Sequence, residues 1–154
     1  MTESCCSDTE CEVDGSCPSS GRQGKPVAWQ TVAALTVGRV PPNQSYWLCE
    51  DPECPVVYFG ADGTTTLVGG VAPVPGFKAG SEGLVCYCFL YRQSDLERDV
   101  AEGAPKRTLD AITDEVKARN CACEVRNPTG KCCLGAIRRD LSRLEDRRRQ
   151  PVTS

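Results

Sequence analysis

The chain has 154 residues, twelve cysteines, no histidine and a net charge of −3. That length fits one ordinary domain or two very small ones; with aromatics at only 6% two large apolar cores cannot be built, so small modules need a staple. The missing histidine removes every histidine-containing metal site and the commonest general base, and the acidic balance argues against a nucleic-acid binder.

Residues 1–24 are rich in Ser, Gly, Asp, Glu and Cys without apolar period and are expected to be loop or partly disordered unless a metal orders them, with residues 1–14 a flexible Cys- and acid-rich N-terminus. They carry no basic start and no apolar run, so they do not read as a secretory signal, and no stretch reaches the roughly 20 apolar residues of a membrane helix. The expectation is a cytoplasmic protein without membrane insertion, where dense cysteine means metal rather than disulfide. Residues 26–40, PVAWQTVAALTVGRV, predict a strand followed by a short helix, ended by Pro-Pro-Asn-Gln. Tyr46–Cys49 and Val56–Phe59 read as strands, and Ala61-Asp62-Gly63-Thr64 as a hairpin turn. The Gly- and Pro-rich residues 71–83 read as a linker and domain boundary.

The second half changes character. Ser94-Asp95-Leu96-Glu97 has the capping-box pattern, opening a helix that ends near Gly103. Leu109, Ile112 and Val116 predict a second helix to about Arg119. Leu134, Ile137, Leu141 and Leu144 form a third apolar stripe directly after Cys133. The basic residues after it read as a solvated helix face and a tail over 147–154.

The cysteines fall into four groups: Cys5, Cys6, Cys11 and Cys17; Cys49 and Cys54; Cys86 and Cys88; and Cys121, Cys123, Cys132 and Cys133. None has the C-x-x-C spacing of a thioredoxin-like motif or the commonest zinc knuckle. Alternate residues of a strand point to opposite sides, so Cys86 and Cys88 meet one metal only on a curved loop, which also turns backbone N–H groups inward. Such donors stabilise a negatively charged iron–sulfur cluster. Asn127-Pro128-Thr129-Gly130 is a tight turn, and Cys133 sits at a helix start, where the dipole favours thiolate. Cysteines on loops at helix starts suit a 2Fe–2S cluster, with a zinc site on the same residues as the alternative.

The blocks VCYCF from Val85 and CEVRNPTGKCCLG from Cys123 resemble the iron–sulfur region of CopZ-type copper chaperones, itself distantly like the bacterioferritin-associated ferredoxin. The block SYWLCEDPECPVVYF from Ser45 resembles the zinc module that precedes the cluster in that family. The resemblance implies an α+β fold: a small zinc-ribbon-like β module over residues 15–70, then a small helical 2Fe–2S module over 84–146. It implies cluster ligands Cys86, Cys88, Cys123 and Cys133, leaving Cys121 and Cys132 as spares. It also implies zinc on Cys17, Cys49 and Cys54. The family's fourth zinc thiolate falls on Ser20, a poor ligand, so Cys11, or else Cys5 or Cys6, is expected to close the site, the alternative being a site with three thiolates and water or none at all. The Met-x-Cys-x-x-Cys of the family's separate copper-binding domain has no counterpart in these residues, which implies a stand-alone form.

Three functions follow as expectations. One is a metallochaperone for soft-metal homeostasis or resistance, copper or mercury, working by one-electron transfer. The second is a sequestering protein whose Cys5, Cys6 and Cys11 trap soft ions as thiolates. The third is a ferredoxin-like module that docks through its Arg-rich C-terminal helix on a reductase or a metal transporter. No nucleophile–base pair or phosphate-binding loop points to an enzyme.

Overall fold

A computed structural model of the chain describes residues 14–150. The first half is built on a four-stranded antiparallel sheet in the order β1-β2-β3-β4. Its strands are β1 (Lys25–Val27), β2 (Tyr46–Leu48), β3 (Val56–Gly60) and β4 (Thr65–Leu67), with helix α1 (Trp29–Leu35) between β1 and β2. The strands are rich in Val, Tyr, Trp, Phe and Thr, the residues that suit a pleated, half-buried surface. Trp47 lies opposite Phe59 in the β2–β3 register, and the two rings stack at 5.6 Å. That stack leaves no room beside Gly24, where a Cβ would stand 2.6 Å from Phe59 and 2.7 Å from Trp47. The β3–β4 turn forms where the sequence predicts it. Gly63 takes φ +84°, and the Asp62 carboxylate accepts bonds from the Thr64 N–H and hydroxyl. One face of α1, with Thr31, Val32 and Leu35, packs inward.

Residues 71–83, read from sequence as a linker, lie against this sheet. Val71 bridges to Thr36, and the Ala79 N–H donates to the Pro52 carbonyl at 3.0 Å. Lys78 is 2% exposed, and its ammonium donates to the carbonyls of Asp51 (2.7 Å), Cys54 (3.1 Å) and Val56 (2.7 Å).

The second half holds a two-stranded ribbon, β5 (Leu84–Cys86) with β6 (Tyr91–Arg92). Four helices follow: α2 (Gln93–Ala101), α3 (Arg107–Lys117), α4 (Cys123–Arg126) and α5 (Leu134–Arg149). The expected capping box is shifted: α2 begins at Gln93, and Asp95, not Glu97, accepts the Arg92 N–H at 2.8 Å. Ribbon pairing of Arg92 fixes where the helix starts, so Ser94 falls inside it. The core joins Leu96 and Val100 of α2, Ile112 of α3 and Leu134, Ile137 and Leu141 of α5 with Cys86, Cys123 and Cys133. Asp99, fully buried, takes the Thr108 N–H (2.9 Å) and hydroxyl (2.5 Å), so α2 supplies the N-terminal cap of α3. The α+β architecture with a small β module first agrees with the sequence expectation. Among the described residues no helix is long and apolar enough to cross a membrane.

Candidate metal centres

The first centre lies at the loop end of the β2–β3 hairpin. Cys49 directly follows β2, Pro55 alone separates Cys54 from β3, and the Cys49 N–H donates to the Val57 carbonyl at 2.8 Å. Cys17 arrives on a turn closed by its N–H to the Arg22 carbonyl (2.8 Å) and the Gly21 N–H to its own carbonyl (2.9 Å). The three sulfurs lie within 4.8 Å of one another, Cys17 and Cys54 at 3.9 Å, and all three residues are buried. Ser20 stands beside them with its hydroxyl 3.5 Å from the Cys49 Sγ. Burial raises the Cys17 thiol, but the backbone N–H and hydroxyl of Ser20 and the N–H of Ser19 outweigh it and bring it to about 7. Burial raises Cys49, opposed by the Ser20 hydroxyl, the Asp51 N–H and the Lys78 ammonium. Three converging thiols, one favoured as thiolate, form a soft-metal site. The expected fourth ligand Cys11, and its alternatives Cys5 and Cys6, lie outside the described residues.

The second centre gathers the other four predicted residues from three places in the chain. Cys86 ends β5, Cys88 lies in the ribbon turn, Cys123 opens α4, and Cys133 precedes α5. They meet in two pairs. The Sγ atoms of Cys88 and Cys123 are 3.7 Å apart, and the Cys86 and Cys133 thiols are hydrogen-bonded to each other. The ribbon turn curls around Cys86, so that the N–H groups of Phe89, Cys88 and Tyr91 reach its sulfur. The Ala122 N–H donates to the Cys88 Sγ at 3.2 Å, and the Cys133 N–H reaches the Cys123 sulfur. Within the Cys86–Cys133 pair, the bond to Cys133 and these N–H groups lower Cys86, while the bond to Cys86 and burial raise Cys133. Burial pushes Cys123 up to about 12. One thiol of the pair is thus the proton donor and the other the acceptor. Cys121 and Cys132 stand on the flanks, the first half-buried and the second exposed. A cleft of about 560 Å³ between the halves passes Tyr87, Asn127, Cys132 and Cys133.

Lys78 and the hydroxyls of Thr31, Tyr58 and Tyr87 carry roles that the cysteine pattern does not disclose. The first leaves a trace in the sequence: it is the one charge between Asp62 and Glu82, inside a Gly- and Pro-rich stretch.

Residues 14–71 match the model of a family described as the CopZ zinc-binding domain. No curated protein sequence gives a significant match. Among solved structures, the chain is similar to the N-terminal domain of CopZ from Archaeoglobus fulgidus, solved by X-ray crystallography. The two are 27% identical with a TM-score of 0.60, over 80% of this chain and 95% of that one. Residues 14–71 are therefore a CopZ-like zinc-binding region, in which Cys17, Cys49 and Cys54 are the thiols that could hold a metal.

Proposed function

We propose that this chain handles a soft metal, copper or mercury, by one-electron transfer, with a 2Fe–2S cluster on Cys86, Cys88, Cys123 and Cys133 and zinc on the three-thiol site. The convergence of four cysteines from three places in the chain carries the reading. A 2Fe–2S cluster takes four thiolates, and Cys86, Cys88, Cys123 and Cys133 would hold it. The donor set fits in a second respect: N–H groups already point at the sulfurs of Cys86, Cys88 and Cys123, which favours an anionic group there. When bound, the cluster supplies reversible one-electron chemistry. The chain's own part is to hold the sulfurs, exclude water from Cys86 and Cys133, both nearly fully buried, and leave the Cys132 side open to a redox partner or transporter. The zinc is structural, and the chain is not itself an enzyme.

A second reading, thiolate sequestration, is favoured by Ser20, which puts a weak oxygen donor beside three thiols and suits ions content with few soft ligands. Metal analysis with an optical spectrum, on protein purified without air, separates the two. The expected result is about two irons per chain and visible bands bleached by dithionite. Colourless protein holding zinc at both centres overturns the cluster.

A further inference from the structure

The four-cysteine centre belongs to the second half of the chain, yet two of its ligand segments are held from the first half. Thr31 of α1, 2% exposed, donates its hydroxyl to the Glu124 carbonyl, next to Cys123, at 2.6 Å. Tyr58 of β3, 1% exposed, donates its hydroxyl to the Pro128 carbonyl at 2.7 Å. These two bonds span 93 and 70 residues of sequence and land just before and within the Asn127–Gly130 turn. The turn is shaped for that approach. Gly130 has φ +70°, and a Cβ there would stand 2.8 Å from the Thr31 hydroxyl oxygen. On the other side, the Gly76 N–H donates to the Tyr87 hydroxyl at 2.8 Å, and Tyr87 lies between Cys86 and Cys88.

We propose that Thr31, Tyr58 and Tyr87 are positioning residues, through which the zinc-binding half holds the four cysteines in ligating geometry before any metal arrives. The segment from Cys123 to Cys133 contains only the one-turn α4 and a tight turn. Left free, such a segment costs conformational entropy at each residue that a metal must order. The two hydroxyl bonds order it in advance, and Tyr58 sits on the strand that also carries Val56 and Phe59 of the three-thiol cluster. Cys49 and Cys54 lie in the loop that joins β2 to β3, and Tyr58 lies four positions after Cys54. Metal on the three-thiol site therefore stiffens the strand that carries Tyr58, and the two centres are linked.

The test uses iron-free, zinc-loaded full-length protein, alkylated with iodoacetamide and followed cysteine by cysteine by mass spectrometry. Thr31→Val and Tyr58→Phe keep volume and remove one donor each. Together they are expected to speed alkylation of Cys123 and Cys133 by roughly tenfold to thirtyfold, with Cys17, Cys49 and Cys54 still protected by zinc. Tyr87→Phe is expected to do the same to Cys86 and Cys88. Stripping zinc from the wild type should reproduce the effect at Cys123 and Cys133. Unchanged rates overturn the positioning role, and equal acceleration at every cysteine overturns it in favour of general loosening. Only the final arm rests on the cluster reading: in iron-loaded protein the double variant should bleach several-fold faster under an iron chelator. A wild type that takes no iron sinks that reading and leaves the alkylation result to decide the positioning.

Discussion

Replacing Lys78 by Met should destabilise the protein and weaken its zinc site together. The buried ammonium satisfies three carbonyls, those of Asp51, Cys54 and Val56. Met keeps the aliphatic length and removes every donor. A buried acceptor left without its partner costs about 1–3 kcal/mol. The Asp51 carbonyl is only part-buried and recovers water, so two carbonyls bear most of the loss. Against this, Met spares the burial of a charge. The net is about 3 kcal/mol, which for a chain of this length lowers the thermal midpoint by roughly 6–12 °C. Because Cys54 sits inside the clamped loop, about 1.4 kcal/mol of lost order there weakens zinc about tenfold. Circular dichroism melts of zinc-loaded protein, with zinc competition against a colorimetric chelator, read both quantities. If Lys78 matters only through the packing of its aliphatic stem, Lys78→Met is neutral; a midpoint within about 2 °C of wild type would refute the clamp.

Other perturbations probe the remaining devices. Ser20→Cys places a thiol beside Cys49, and zinc affinity should rise at least tenfold, with stronger thiolate charge-transfer bands in the cobalt-substituted protein. If Cys11 already closes the site, Ser20→Cys changes nothing and Cys11→Ser weakens zinc instead. Asp99→Ala removes the cap of α3 and should cost about 2 kcal/mol, seen as a lower urea midpoint at unchanged slope. Burial raises the Tyr58 and Tyr87 hydroxyls above their ordinary value of 10, so the unfolded chain releases these protons first. Stability is thus fully present below pH 10 and falls above it, by up to about 1.4 kcal/mol per pH unit for each group. Tyr58→Phe should make that alkaline loss shallower in urea titrations run at several pH values, and an unchanged slope would place the loss elsewhere.

Much of the fold was legible because its signals are local. The Asp62-Gly63 turn, the strand from Val56 and the stripe of Leu134, Ile137 and Leu141 each follow from a few neighbouring residues, and each lies where that reasoning puts it. The three-thiol site was legible from cysteine spacing joined to a family pattern, down to the misfit at Ser20. What the sequence concealed is long-range. The start of α2 is set by ribbon pairing of Arg92, which overrides a good local capping pattern at Ser94. The short α4 has too few residues to show a period. The stretch 71–83 has a linker's composition, yet it is anchored to the sheet by backbone bonds and by a lysine whose partners lie 22 to 27 residues away. Cysteine patterns name ligands because thiolate chemistry is rare and conspicuous. Hydroxyls such as those of Thr31 and Tyr58 hold ligands in place without any such mark, since an ordinary threonine on a helix or tyrosine in a strand reads as packing. In a chain this small the residues that ready a metal site belong to the core of the neighbouring half. The boundary drawn between the halves from composition therefore cuts through the support of the four-cysteine centre.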